Sequence, residues 1–333
     1  ENIAGNAAKQ GDTVSVRCPV KLEASEFSES AGVTAQSVQK DTVDVKLDHL
    51  ATVDMQIGAV EAACDFDSII KMFIEPAAAA LAEKINREGL ALYKDIPYFA
   101  GTAGSAPDGL DDLANASLAL DNLKVPAGVR CAVWDPVAAS KLKQVPAIVN
   151  AEKCGSSSAL RTGSVGRVFG IENYMSQAVC SHNVTFGGTL TLSAAAAAES
   201  EVTFTVANGS GKIGKGDIIK IDGKSHTVLE DASLGESSVK VKLYPAVTAA
   251  KDASAEVIAS HTANLVFHPN AFAFITRPLQ TPAGVESYVT SYNGISLRVV
   301  RGYDMKYKRE ILSMDVLYAF KTVYPELAAR YLG

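Results

Sequence analysis

At 333 residues the chain is long enough for about two domains with substantial cores. Apolar residues make up 47% and charged residues 20%, which excludes a largely disordered polyampholyte, and no stretch approaches the roughly 18 uninterrupted apolar residues of a membrane span. The net charge of −6 comes without a basic cluster, which argues against nucleic-acid recognition as the main task. Five dispersed cysteines without a C-x-x-C pair argue against a disulfide scaffold or a zinc knuckle, and they read as reduced and mostly buried.

In "TVSVRCPVKL" the residues Val14, Val16, Cys18, Val20 and Leu22 alternate with polar ones, which predicts a strand, with Pro19 confining it to an edge. A second alternating run, "TVDVKL" from Thr42 to Leu47, follows a polar, acidic connector. Together they predict a long hairpin with a charged tip that has little of its own to bury and therefore packs on something else. From Asp65 the period changes: Phe66, Ile70, Phe73, Ala77, Leu81 and Ile85 recur at helical spacing. Asp65 or Asp67 can cap a helix of about 25 residues, which Pro76 either kinks or divides.

A second helix is predicted from about Leu110 to Leu123, then a strand from Val129 to Trp134. Asp135-Pro136 next forms an N-cap and first turn for a short helix through Leu142. "RTGSVGRVFGIENYMSQAV" reads as a glycine-punctuated loop and a strand. No arginine occurs between Arg167 and Arg277. Inside that interval "VTFTV", "GDIIKI", "HTVL", "SVKVKL" and "AEVIAS" predict short strands at about ten-residue intervals, the signature of a small barrel or sandwich inserted over residues 181–261. His182 and His261 mark its two seams, and the alanine run 194–198 reads as filler. Beyond it come a strand "NLVF", a short helix over "PNAFAFI", and strands "SYVTSY", "ISLRVVRGYD" and "ILSMDVLYAF".

Chemistry is sparse. "NGSGKIGKGD", residues 208–217, has the G-x-x-x-x-G-K spacing of a phosphate-binding loop. However, Lys215 is followed by Gly216 rather than Ser or Thr, and the flanks alternate as strands, so it reads as a hairpin turn. No G-x-S-x-G elbow occurs, the five histidines never pair at i, i+4, and Asp108, Asp111 and Asp112 read as a solvated helix start rather than a calcium site. Arg161 and Arg167 could clamp a phosphate, but ion pairs between elements or subunits are the commoner use. No catalytic residue, cofactor or metal site is expected.

Taken in order, "GDTVSVRCP", "IEPAAAALAEKINREGLALY", "RTGSVGRVFGIENYMSQAV", "ANLVFHPNAFAFITRPL" and "GISLRVVRGYDMKYKREILSMDVLYAFKTVYPELAARYLG" resemble tailed-bacteriophage major capsid proteins of the family typified by the Salmonella podovirus coat. The resemblance implies an α+β, Hong Kong 97-type phage capsid fold with extended hairpin loop, spine helix, peripheral and axial domains and an inserted small antiparallel β-barrel. It divides the chain into the remnant of an N-terminal arm (1–10), the extended loop (11–60), and the spine helix with the start of the peripheral domain (61–100). The axial and peripheral body (101–180), the barrel (181–262) and a return to both domains (263–333) follow.

It also implies noncovalent self-assembly into pentamers and hexamers of an icosahedral shell in the host bacterial cytoplasm. Scaffolding, portal and decoration proteins would be partners, and double-stranded DNA would be enclosed without sequence-specific binding. No membrane is involved. Subunit-contact candidates are Arg17, Glu23, Glu26, Glu29, Lys40, Arg161 and Arg167, and outer-surface candidates in the insertion are Lys212 and Lys215. The alternative is a secreted or surface β-rich binding protein without catalytic activity; a hydrolase with an unrecognised Ser/His pair is a weaker third.

Overall fold

The computed structural model describes residues 11–17, 42–57, 73–150, 161–235, 237–282, 284–292, 294–306 and 309–333. Two compact units emerge, one formed by Glu1–Ile85 with Ala273–Val323 and the other by Asn86–Phe272 with Tyr324–Gly333. Strands dominate and helices are few, so the α+β expectation holds only with the balance moved toward β.

In the first unit, Thr13–Arg17 pairs antiparallel with Thr42–Lys46, from Thr13 opposite Lys46 to Arg17 opposite Thr42. The alternation that predicted these strands puts Val45 and Leu47 in a buried cluster with Leu317 and Ala319, while Val14 and Val16 pack at its margin. The residues that would extend the hairpin, including Glu23, Glu26, Glu29 and Lys40, lie outside the described residues. A five-stranded sheet orders Phe272–Arg277, Arg309–Thr322, Ile295–Asp304 and Glu286–Tyr292, with His49–Ile57 also paired to Arg309–Thr322.

Within the segment 11–60, residues 49–57 form a nine-residue strand in which Ala51, Val53 and Met55 alternate with Thr52, Asp54 and Gln56. One element departs from the sequence reading. The helix expected over "PNAFAFI" is a single turn, Pro269–Ala271, followed by a strand, because Phe272, Phe274 and Ile275 favour a pleated surface once a neighbouring strand is available. On one sheet face Ala77, Leu81 and Ile85, at three- and four-residue spacing, pack against Ala51, Met314, Val316 and Tyr318. They belong to the helix Glu75–Leu90, which carries Pro76 near its start. The expected cap residues Asp65 and Asp67 lie outside the described residues.

The second unit joins a mixed sheet to a barrel. The sheet runs Phe99–Gly101, Ala328–Leu332, His261–Phe267, Arg130–Trp134, Ile171–Met175, Gly166–Val168, with Ser181–His182 added beside His261–Phe267. Its core gathers Trp134, Ile171, Val266 and Tyr331 with the helices Leu110–Asn122 and Pro136–Leu142. As expected, Asp135 caps the latter, accepting from the amides of Val137 and Ala138 ahead of Pro136 at the first turn.

The barrel closes through Ala196–Ser210, Ser238–Ala249, Lys224–Val228, Ile218–Ile221, Ser254–Val257 and Gly187–Leu192. Leu190, Leu192, Val202, Phe204, Ile219, Ile221, Val239, Val241 and Leu243 fill its interior, which is therefore a packed core and not a ligand cavity. The alanines from Ala196 are the start of the first of these strands rather than filler. No described helix is long and apolar enough to cross a membrane. Cys131 and Cys180 are free and half-buried.

Candidate functional site

The most concentrated chemistry among the described residues is a buried polar seam where barrel and mixed sheet meet. It is built by the turn Ala91–Asp95 after the long helix, the terminal strand Ala328–Leu332, the barrel loop that carries the glycine-lysine motif, the barrel strand Lys224–Val228 and the paired strands Ser181–His182 and His261–Phe267. His182 and His261 sit opposite one another in the short pairing that leads chain into and out of the barrel. Their rings lie 5.4 Å apart.

Hydrogen-bond directions follow from what each group can do. The Asp217 carboxylate can only accept, so His182 Nε2 donates to Asp217 Oδ1 at 2.7 Å. His182 Nδ1 then accepts from the Tyr93 hydroxyl at 2.9 Å. Burial pushes Tyr93 up to about 12, against the lowering effect of Arg330, so the phenol keeps the proton it donates. Asp217 Oδ2 accepts from the Gly214 amide at 2.8 Å, and Asp231 Oδ1 accepts from the Lys215 amide at 2.6 Å. The two backbone donors that a phosphate would need are thus taken by carboxylates of the same domain, which explains in structural terms why the motif is a turn.

Arg330 completes the seam with none of its surface exposed. Its Nη1 donates to Gly216 O at 2.7 Å, and its Nη2 donates to Thr227 Oγ1 at 2.9 Å and to Lys94 O at 3.2 Å. The Thr227 hydroxyl in turn donates a hydrogen bond to Lys94 O at 2.8 Å. The guanidinium carbon lies 5.1 Å from the Tyr93 ring centre, a cation–π contact in a desolvated setting. Burial brings Arg330 down to about 9, partly offset by Tyr93, Asp95 and Asp217, so it stays cationic at neutral pH. His261 Nδ1 donates to Ala259 O at 2.8 Å, and burial lowers this imidazole to about 4, leaving it neutral. Two buried atoms of the seam, Arg330 Nε and His261 Nε2, have no hydrogen-bond partner. Gly216, at φ +95°, packs so closely that an added Cβ would come within 2.8 Å of Lys94 Cγ.

This arrangement clamps two substructures; it exposes no nucleophile. The sequence-derived candidates fall elsewhere. Arg17 ends its strand, and its side chain lies outside the described residues. Arg161 is exposed, and Arg167 donates to Gly128 O at 2.8 Å and lies 4.0 Å from Glu172. Lys212 lies 3.6 Å from Asp231, while Lys215 lies 3.6 Å from Asp95 and so reaches back toward the seam. Asp112 Oδ2 accepts from the amides of Asp108 and Gly109, and Asp112 Oδ1 accepts from the Tyr331 hydroxyl. Burial raises this carboxyl, but those three donors outweigh it and hold it below the usual range. Among the described residues no three His, Cys, Asp or Glu side chains could hold a metal. Sequence reasoning placed His182 and His261 at the seam but missed Tyr93, Asp217, Thr227 and Arg330, which carry no local pattern.

No protein-family model matches the chain, and no curated protein matches it in sequence. Solved structures match in fold. A chain from Mycobacterium phage Che8 aligns with a TM-score of 0.53 at 14% identity over 96% of this chain and 84% of that one. The capsid of Ralstonia phage GP4 aligns with a TM-score of 0.51 at 9% identity over 94% and 80% of the two chains. The whole chain, and not only the barrel or one sheet, thus shares its fold with these phage structures.

Proposed function

We propose that the chain is the major capsid protein of a tailed bacteriophage and polymerises noncovalently into an icosahedral shell that encloses double-stranded DNA. The observation that carries this is the likeness to the Ralstonia phage GP4 capsid across 94% of the chain. The interior chemistry supports a structural role: apolar side chains fill the barrel, and the densest polar cluster among the described residues is buried as a clamp.

In finer detail, the paired strands Thr13–Arg17 and Thr42–Lys46 are the base of the extended loop, and the helix Glu75–Leu90 belongs to the spine. The mixed sheet forms the axial domain, the long-stranded sheet the peripheral domain, and the barrel the insertion. Assignment to the family of the Salmonella podovirus coat rests on the quoted motifs. An extended hairpin buries its apolar stripe on a neighbouring copy, and repetition of that contact by symmetry closes pentamers and hexamers into a shell. Arg17, Glu23, Glu26, Glu29, Lys40, Arg161 and Arg167 are proposed for contacts between copies, and Lys212 and Lys215 for a decoration protein or neighbour. Scaffolding and portal proteins are further partners, with assembly in the host cytoplasm.

Electron microscopy of the purified protein, with sedimentation velocity, tests the reading. Closed shells or rings of five and six are expected, and removal of residues 23–37 is expected to abolish them while leaving a folded subunit. A wild-type chain that stays a dispersed monomer at high concentration overturns the proposal.

A further inference from the structure

One face of the long-stranded sheet is apolar beyond the reach of the helix that covers it. Along its rungs Tyr292 stands opposite Ile295, Thr290 opposite Leu297, Tyr288 opposite Val299 and Glu286 opposite Arg301. Val299 continues to Met314 and Arg301 to Leu312 on the next strand, and these to Val53 and Met55 on the strand after that. Ala77, Leu81 and Ile85 close over the Met314 and Val316 end of this face, with Leu297 and Val299 at their margin. Past that margin the same face is bare: Tyr288 is 69% exposed, Tyr292 78% and Ile295 37%. Strand alternation puts Tyr303, 57% exposed, on this face too. Among the described residues, the strand that carries the first two tyrosines is also the sheet's last, paired only with Ile295–Asp304.

The size and chemistry of this surface point to its occupant. At roughly 200 Å² per tyrosine side chain, Tyr288 and Tyr292 leave on the order of 300 Å² bare, the size of a typical monomer's largest apolar patch and over a third of one side of a standard interface. Tyrosine is among the residues that dominate binding energy when a partner dries them. The rim carries both signs, with Arg301 3.6 Å from Glu286 and 2.8 Å from Glu310, so two copies of the rim attract as readily as they repel.

We propose that the Tyr288, Tyr292 and Ile295 face is an interface between two copies of this chain. This rests on the shell reading, which supplies the second copy. On its own copy this face extends the covered core of the sheet and uses none of residues 18–41.

The test places the photocrosslinker p-benzoylphenylalanine at position 292 of the full chain and irradiates it under assembly conditions. A chain-to-chain crosslink on a denaturing gel is expected. In parallel, a Tyr288→Ser, Tyr292→Ser double variant is expected to melt like wild type, since both side chains are mostly exposed, and to need about tenfold more protein to assemble. Shells that form without a crosslink at 292, or a double variant that assembles at the wild-type concentration, overturn the interface. A crosslinked dimer from protein that never forms shells sinks the shell reading and keeps the interface. A monomer without crosslinks sinks both.

Discussion

Arg330 joins three segments that are otherwise far apart in the chain, and it does so with a planar fork: one nitrogen reaches the barrel loop at Gly216, another reaches Thr227 and Lys94. A lysine is a point charge on a flexible stem and cannot meet these acceptors together, so Arg330→Lys leaves buried oxygens unsatisfied. A loss of about 2–4 kcal/mol is expected, read as a lower urea midpoint at unchanged slope. Stability within experimental error of wild type would show that the clamp carries no net energy. His261 sets a pH dependence at the same place. Its folded value of about 4 lies below the ordinary 6.5, because burial, Arg330 and His182 disfavour the cation more than Ala259 O and Asp217 favour it. The unfolded chain therefore binds the extra proton first. Stability is full above about pH 6.5 and falls by about 3 kcal/mol as the pH drops to about 4. Burial lowers His226 as well, which adds in the same direction. Unfolding titrations from pH 7 to 4 check this, and His261→Asn, which keeps a donor toward Ala259 O, is expected to flatten the curve.

At the scale of elements, the barrel loop shows what a turn must do beyond turning. Gly216 and Gly223 both adopt left-handed backbone, at φ +95° and +80°, yet an added Cβ at Gly223 meets nothing within 4 Å while at Gly216 it strikes Lys94. Alanine at either costs about 1–2 kcal/mol for the backbone. Gly216→Ala adds the displacement of the seam, so its unfolding midpoint is expected to fall below that of Gly223→Ala by at least about 1 kcal/mol. Equal effects would mean that the loop yields without disturbing the clamp. Short-range signals such as the Asp135-Pro136 cap, the helical spacing of Ala77, Leu81 and Ile85, and the alternation of Val239, Val241 and Leu243 were legible because each is set within a turn or a pleat. Elements whose state is imposed by distant partners were not. The strand Ala328–Leu332 has two alanines and no β-branched residue, and it is extended because His261–Phe267 and Phe99–Gly101 flank it. The seam was legible only at its two histidines, since Tyr93 lies 89 residues from His182 and Gly216 lies 114 from Arg330.

For the whole molecule, the proposed assembly carries a salt dependence whose sign follows from charge. Each copy carries −6, and at about 0.01 M salt the screening length of roughly 30 Å lets neighbouring copies repel across their full width. At about 0.15 M it contracts to roughly 8 Å and the repulsion fades, while the proposed contacts through tyrosine and apolar hairpin residues are unaffected. Exposed ion pairs on the barrel, such as Lys240 with Glu201 and Lys242 with Glu230, lie within one chain, and water screens surface pairs of this kind so that they add little. Raising salt across this range is therefore expected to lower the protein concentration at which light scattering reports assembly. The opposite sign would assign the dominant contact to ion pairs between copies. The same titration with Glu23, Glu26 and Glu29 changed together to Gln would then trace that contact to the hairpin tip if the dependence disappears, or away from it if the dependence persists.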